Sequence, residues 1–372
     1  MKSKKQSIAF ICAAVILTAL CIGSFFLGKQ CKANEVKKEN ELDILFERSD
    51  MEGLGTIEGK IYVTGHKSPD VDTVCSAIAY ATLLQKLGYD AVPVVLGSMS
   101  KEIEYVLTSA GAETPMLLEN ASGLNVFLVD HADYSQSADG IESANICGVI
   151  DNHNTGSITT GHSIIYDARP IGATATIVVM RYRNYGVEID EKTAYLLAGA
   201  IISETMNLGS KTTTSADREA LKMLVDIAGI KDQDALYREM YKKSISYEGM
   251  TDEEIFFSDY KEYECAGKKY AIGCISVYDE TDAADMARRM KAILPQMRVS
   301  KGVDMTFAQI SIFHDGISMT FIVPSDDAAA DVIVSAFGDT AQYDGVSFKF
   351  NPGMSRKQVV VPAITGVLEA GD

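Results

Sequence analysis

The stretch YVTGHKSPDVDTVCSAIAY, residues 62–80, closes a hydrophobic run at Gly65 and then sets His66, Asp70 and Asp72 at spacings of four and two. An amphipathic pattern follows without a linker. The order predicts a strand, a polar turn and a helix. The same alternation continues outward. KIYVTG, AVPVVLG, LNVFLVDH and NICGVIDNH read as strands, whereas DTVCSAIAYATLLQKLG, ended by Gly88, and KEIEYVLTSAG read as helices. Strands separated by helical segments are the pattern of a mostly parallel sheet with crossover helices, and ligands of such sheets gather outside the carboxyl ends of the strands. Three strands end there in polar clusters: His66 with Asp70 and Asp72, Asp130 with His131, and Asp151-Asn152-His153. An Asp at one strand end serves equally well as a helix N-cap. Three clusters in one α/β unit instead supply the carboxylates and imidazoles of a divalent-metal site.

Composition narrows the partners. The 372 residues suffice for two domains, and 47% hydrophobic content gives each a core. The net charge is −17, although the first 38 residues carry seven lysines and one glutamate, so the remainder is more acidic than the total. Such a body repels phosphate backbones and excludes nucleic acid as the expected partner, while a metal-loaded site for a small anion stays open.

Positions 6–28 carry no charge, and Ile8 to Leu27 is mostly apolar. Twenty such residues make about 30 Å of helix, enough to cross a bilayer. Residues 1–34 are therefore expected to be an N-terminal transmembrane anchor or signal-like segment. Residues 35–57 form a polar tether, and the body lies on the extracytoplasmic side of a single-pass cell-membrane protein. Cys21 follows Leu20, not the small residue of a lipidation box. Among the body cysteines, Cys75, Cys147, Cys265 and Cys274, no C-x-x-C pair occurs, and free buried thiols are expected. A turn at Gly267-Lys268 would face Cys265 to Tyr270 and not to Cys274.

GHKSPDVDTVCSAIAYA, VDH, VIDNH and the later MSRKQVVVP together resemble a family II inorganic pyrophosphatase of the DHH phosphoesterase superfamily, over about Lys60 to Pro362. The GGGH signature of relatives that cleave oligonucleotides is absent. The resemblance implies an α/β chain with a DHH domain at 58–242, a linker at 243–254 and a smaller α/β DHHA2 domain at 255–370, the active site lying in the cleft between domains. It implies hydrolysis of pyrophosphate to two phosphates by a hydroxide bridging two divalent ions, Mn2+ or Co2+, with further Mg2+ accompanying the substrate. Relatives of this family are often homodimers. Residue by residue, His66, Asp70 and Asp130 match ligands of the first metal, and Asp72 and Asp130 match ligands of the second. His153 matches a phosphate-contacting histidine, and His131, beside Asp130, is expected to support the metal ligands from behind. Lys242 in EMYKKS, or its neighbour Lys243, and Arg356 with Lys357 match the grip on the phosphates. Taken without the resemblance, these are surface basic groups.

Two positions depart from the family pattern, and both fall on the second metal. Asn152 stands where DHH supplies a histidine, and Glu204, in GAIISETMNL, stands where the family has Asp. An amide oxygen is a weaker, harder ligand than imidazole, so the second site is expected either to be retuned, with Mg2+ tolerated there, or to be lost. GATATIVVMRY opens with small residues before a helix, where free N–H groups could meet phosphate or close packing could explain them. His162 is expected in a loop and His314 in a hairpin of the second domain. The alternatives to pyrophosphate hydrolysis are a DHH exopolyphosphatase or related phosphodiesterase, and a membrane-tethered metal- or phosphate-binding protein without turnover.

Overall fold

The computed structural model describes residues 37, 44–45, 49–52, 57–314 and 317–371. Two compact units divide between Tyr237 and Arg238.

In the first unit the strands are β1 (Ile61–Thr64), β2 (Ala91–Val95), β3 (Met116–Leu117), β4 (Asn125–Val129), β5 (Asn145–Asp151) and β6 (Ile165–Ala168). They form one sheet in the order β3-β2-β1-β4-β5-β6, and every pairing is parallel. The order reverses direction between β1 and β4. That is the topological switch point, where an open parallel sheet leaves a crevice beyond its carboxyl ends. Register brings the three polar clusters together there. Thr64 lies level with Leu128 and Val129 with Ile150, so the residues that follow β1, β4 and β5 leave the sheet side by side.

Helix α1 (Val71–Lys86) begins immediately after the first cluster because Asp70 caps it, one carboxylate oxygen accepting from the Thr73 N–H at 2.8 Å. Its buried small residues, Ala77, Ala79 and Ala81, allow close packing against α3 (Thr174–Asn184) and α4 (Glu191–Glu204). Helix α2 (Lys101–Ala110) ends at Gly111 in the left-handed conformation, and α5 (Ser215–Ala228) starts at a capping box of Thr214 and Asp217. The predicted strands and helices of this unit are present. The short strands β3 and β6 escaped sequence reading: two residues carry no period, and IYDA is too brief to separate from a loop.

Helix α6 (Gln233–Ser244) spans the divide, and α7 (Asp252–Phe257) follows it. The second unit holds a mixed sheet in the order β11-β12-β10-β9-β8-β7, with β7 (Tyr260–Cys265), β8 (Lys268–Ser276), β9 (Met305–His314), β10 (Ile317–Pro324), β11 (Gln342–Tyr343) and β12 (Phe348–Phe350). Its single parallel pair, β8 with β9, is joined through α8 (Glu280–Lys301). Met286, Met290 and Leu294 of α8 build a core on one face. On the other face, Ile333 of α9 (Asp327–Phe337) and Ile364 of α10 (Val361–Ala370) pack with Phe307 and Phe348. His314 closes β9 of the expected hairpin.

Two expectations are corrected. The β7–β8 turn is Ala266-Gly267, both at positive φ (49° and 67°), which sets Cys265 opposite Lys268 and moves Tyr270 opposite Tyr263. Two central residues at positive φ match the twist of the flanking strands. The single-pass, extracytoplasmic localisation is also withdrawn, because among the described residues no helix is long and apolar enough to cross a membrane. The expected anchor, Ile8 to Leu27, and most of the tether lie outside the described residues.

Gly148 shows how tightly the sheet is packed between β4 and β6. A Cβ there would lie 2.4 Å from Cζ of Phe127 and 3.0 Å from the Ile165 carbonyl. The Phe127 ring is itself held by Tyr80, with centroids 4.5 Å apart. Gly148→Ala is therefore expected to destabilise the first unit by about 1–3 kcal/mol, read as a lower urea midpoint. An unchanged midpoint would show that the ring can move aside at no cost.

Candidate metal centre

Asp130 follows β4 directly with φ at +64°, a left-handed backbone that a residue other than glycine adopts at a cost. The turn is fixed from three sides. Its N–H donates to the Ile150 carbonyl at 2.8 Å, the Thr73 hydroxyl donates to Oδ2 at 2.7 Å, and the Thr174 hydroxyl reaches Oδ1 at 2.9 Å. The carboxylate is almost completely buried, yet among the described residues no Lys or Arg forms an ion pair with it.

Histidines flank it. His66 Nε2 lies 3.4 Å from Asp130 Oδ2 and 3.4 Å from Asp70 Oδ2. Asp70 thus uses one oxygen as the cap of α1 and turns the other to the histidine, and the two readings of a strand-end Asp are both realised. On the far side His153 Nδ1 lies 3.7 Å from Asp130 Oδ1 and 3.0 Å from Asp151 Oδ1. Among the described residues, two groups could hold a metal ion with ligand atoms inside 4.8 Å: His66, Asp70 and Asp130, and Asp130, Asp151 and His153. Ligands bound at about 2.0–2.2 Å stand roughly 3–3.5 Å apart around one ion, so the donor set and its spacings fit a divalent metal.

Asp72 and Asn152, two of the expected second-metal residues, have protein partners. Asp72 is buried, and its carboxylate accepts from the N–H groups of Thr174 (2.7 Å) and Ala175 (2.9 Å) and from Ser76 (2.9 Å). The small residues of GATATIVV therefore bring the start of α3 onto a protein carboxylate. Asn152 donates to the Ile171 carbonyl at 3.3 Å, and its amide oxygen faces the Thr174 hydroxyl at 2.9 Å. Glu204 ends α4 and is followed by Met206, Asn207 and Leu208, all at positive φ. Asn207 is tied to Asp234 and Gln233 by its side chain, which holds that strained turn.

The electrostatics follow from packing acids together. Burial, then the charges of Asp130 and Asp70, pushes the Asp72 carboxyl well above its usual range. Burial and the same neighbours bring Glu204 to about 7. Burial opposes the charged form of His66, but its contacts with Asp130 and Asp70 outweigh that and take it to about 10. The hydrogen bond to Asp151 raises His153 to about 9. His131 is different. Its ring nitrogens bond the Val129 carbonyl (3.0 Å) and Ser137 (2.9 Å), and burial lowers its pKa. Its ring braces the end of β4 through Val129 and Ser137, while the neighbouring Asp130 acts on it through charge.

The basic residues predicted to grip phosphate all belong to the second unit. Lys242 lies near the end of α6, 3.3 Å from Glu239 and over the Tyr278 ring. Arg356 donates to the Asp259 carboxylate and carbonyl, each at 2.7 Å, while Lys357 is exposed. His162 lies in a loop against the Ile146 carbonyl. Sequence reading missed Thr73 and Thr174 as members of the centre, and it gave Asp151, part of the third polar cluster, no role of its own. Both threonines stand inside quoted stretches, but a hydroxyl next to a carboxylate has no spacing rule that marks it.

Residues 60–201 match the family described as "DHH family, N-terminal domain", and residues 238–367 match the "DHHA2 domain". A Clostridium acetobutylicum protein named "Probable manganese-dependent inorganic pyrophosphatase" is 36% identical over 316 residues, 84% of this chain and 99% of the relative. This chain belongs to the family II inorganic pyrophosphatases. The "Manganese-dependent inorganic pyrophosphatase" of Bacillus subtilis is 34% identical over 83% of this chain and 99% of its own length. A solved structure described as "Methanococcus jannaschii putative family II inorganic pyrophosphatase" superposes with a TM-score of 0.51, at 32% identity over 83% of this chain and 99% of that one.

A metal ion bound by these groups must displace protons. At pH 7 the metal-free His66, with a pKa of about 10, is charged and must lose its proton to become a ligand. Manganese affinity is thus expected to rise as pH goes from 6 to 9. Calorimetry in buffers of different ionisation enthalpy should detect proton release at pH 7, and no release would contradict this electrostatic picture.

Proposed function

We infer that the protein hydrolyses inorganic pyrophosphate to two phosphate ions in a reaction that depends on divalent metal ions, Mn2+ in particular. Its membership of a family whose members carry the name manganese-dependent inorganic pyrophosphatase supports this. The observation that carries the reading at the level of residues is Asp130, one buried carboxylate with Oδ2 turned to His66 and Oδ1 turned to His153.

His66, Asp70 and Asp130 would hold the first ion, and Asp130 would also serve a second. Paired divalent ions acidify water and neutralise the charge that develops on a transferring phosphoryl group. The protein contributes the rest. Thr73 and Thr174 hold the shared carboxylate in one orientation, and its left-handed backbone keeps both oxygens available to separate partners. His153 is half-exposed, with its Nδ1 engaged by Asp151. This leaves Nε2–H to donate to a phosphate oxygen. By the family resemblance, Arg356, Lys357 and Lys242 of the second unit are phosphate-binding cations. Arg356 is a fork already oriented by Asp259.

Asp130→Ala should lower kcat at least about a thousandfold, or about 4 kcal/mol, while circular dichroism stays unchanged. Arg356→Ala should raise KM for pyrophosphate by about tenfold and leave manganese affinity alone. The assay is run with Mn2+ on pyrophosphate and on tripolyphosphate in parallel. Turnover confined to the longer anion would replace this function with a polyphosphatase, and no hydrolysis of either under Mn2+, Co2+ or Mg2+ would reject it.

A further inference from the structure

The family match begins at residue 60, yet residues ahead of it pack on the first unit. Residues 44–45 and 49–52 have helical backbones, and Met51 is 6% exposed. A Cβ on Gly186, just past the end of α3, would lie 2.9 Å from Cδ1 of Ile44. Ile44 therefore rests on the bare face of that glycine. Ser49 and Asp50 share the wall of one cavity with Ser163, Ile165, Tyr166 and Arg181, which puts them beside β6, the last strand of the sheet.

The charges in this groove do not balance within the DHH domain. Arg169 donates to both oxygens of Asp167, at 2.7 and 3.3 Å, and Arg181 Nε donates to Oδ2 at 2.8 Å. Two guanidinium groups thus share one carboxylate. The side chains of Arg181 and Asp167 are each 7% exposed, and a buried charge without a counter-charge is costly. The second carboxylate comes from the leading segment, where Asp50 Oδ2 lies 3.3 Å from Arg181 Nη1. Ile44 and Met51 add apolar contact on either side of that ion pair.

We propose that the segment bearing Ile44, Asp50 and Met51 is a latch, an interaction element added to the family fold, whose docking site is the groove between β6 and the second half of α3. Its occupant is this chain's own leading segment, fixed to the first unit in place of the polar tether expected at 35–57. The Clostridium acetobutylicum relative is covered over 99% of its length by 84% of this chain, which leaves the latch outside the shared fold. Its position has a consequence for the metal centre. Thr174, which braces Asp130, opens α3, whereas Arg181 lies about 10 Å further along the helix axis and Gly186 lies beyond its other end. A partner carried ahead of residue 44 is therefore held at the end of α3 remote from the metal centre.

Hydrogen exchange of the full-length protein, read by mass spectrometry, tests the latch. In wild type, amides of residues 44–52 should exchange at least about tenfold more slowly than in a free chain. Asp50→Asn and Met51→Ser should each speed exchange by about threefold or more, both in that segment and over residues 181–187, whose amides bond back into α3. Glu52→Gln, at an exposed position of the same segment, should change neither. Unchanged exchange in α1 and β4 certifies that a variant is folded. If Met51→Ser fails that check, Asp50→Asn at the half-exposed rim carries the test. Free-chain exchange of 44–52 in wild type would overturn the proposal. So would variants that release the segment without loosening 181–187, or a Glu52→Gln effect as large as that of Asp50→Asn.

Discussion

The first unit depends on one constraint, the burial of Asp130 in a left-handed turn at the carboxyl end of a central strand. A charged carboxylate in an apolar sheet is expensive unless it is paired or hydrogen-bonded. The protein meets that cost with two threonine hydroxyls and two flanking histidines. The surroundings serve the same end. The small-residue start of α3 lets Thr174 approach, and the strand order puts His66 on one side and His153 on the other. Burial, and then the charges of the carboxylates drawn into one field, raises Asp72 well above its ordinary ionisation and Glu204 to about 7. Negative charge gathered this densely is what a divalent cation neutralises and a surface salt bridge does not.

The centre is destabilising for the metal-free protein in an identifiable way. Asp130 is strained, Met206 to Leu208 run left-handed after Glu204, and one Asp151 oxygen is orphaned. Local violations of this kind are tolerated where the surrounding fold over-determines them and where function requires them. Around the centre the sheet is regular, fully parallel and closely packed, as the contact of Gly148 with Phe127 illustrates. The rigid part of the unit supports the strained part.

Much of this was legible in the sequence. The alternation of strand and helix and the three polar strand ends placed the centre before any coordinates did, because β-period and helix-period patterns are strong in VTGHKSPDVDTVCSAIAY and its neighbours. What was not legible is register. Spacing along the chain could not show that Asp72 accepts from the N–H groups of α3, that His131 points to Ser137, or that Ala266-Gly267 makes the turn in place of Gly267-Lys268. Hydroxyl partners such as Thr73 and Thr174 leave no pattern at all. The sequence also drew attention to the apolar stretch before residue 28, and the described residues contain no helix that could cross a membrane.

The sharing of Asp130 between two ions is the claim on which the chemistry turns. Anomalous scattering at the manganese edge from crystals grown with Mn2+ tests it most directly. Two peaks roughly 3.5–4 Å apart, with one Asp130 oxygen on each, are the predicted result. A single peak, or a second peak that makes no contact with Asp130, would contradict the account.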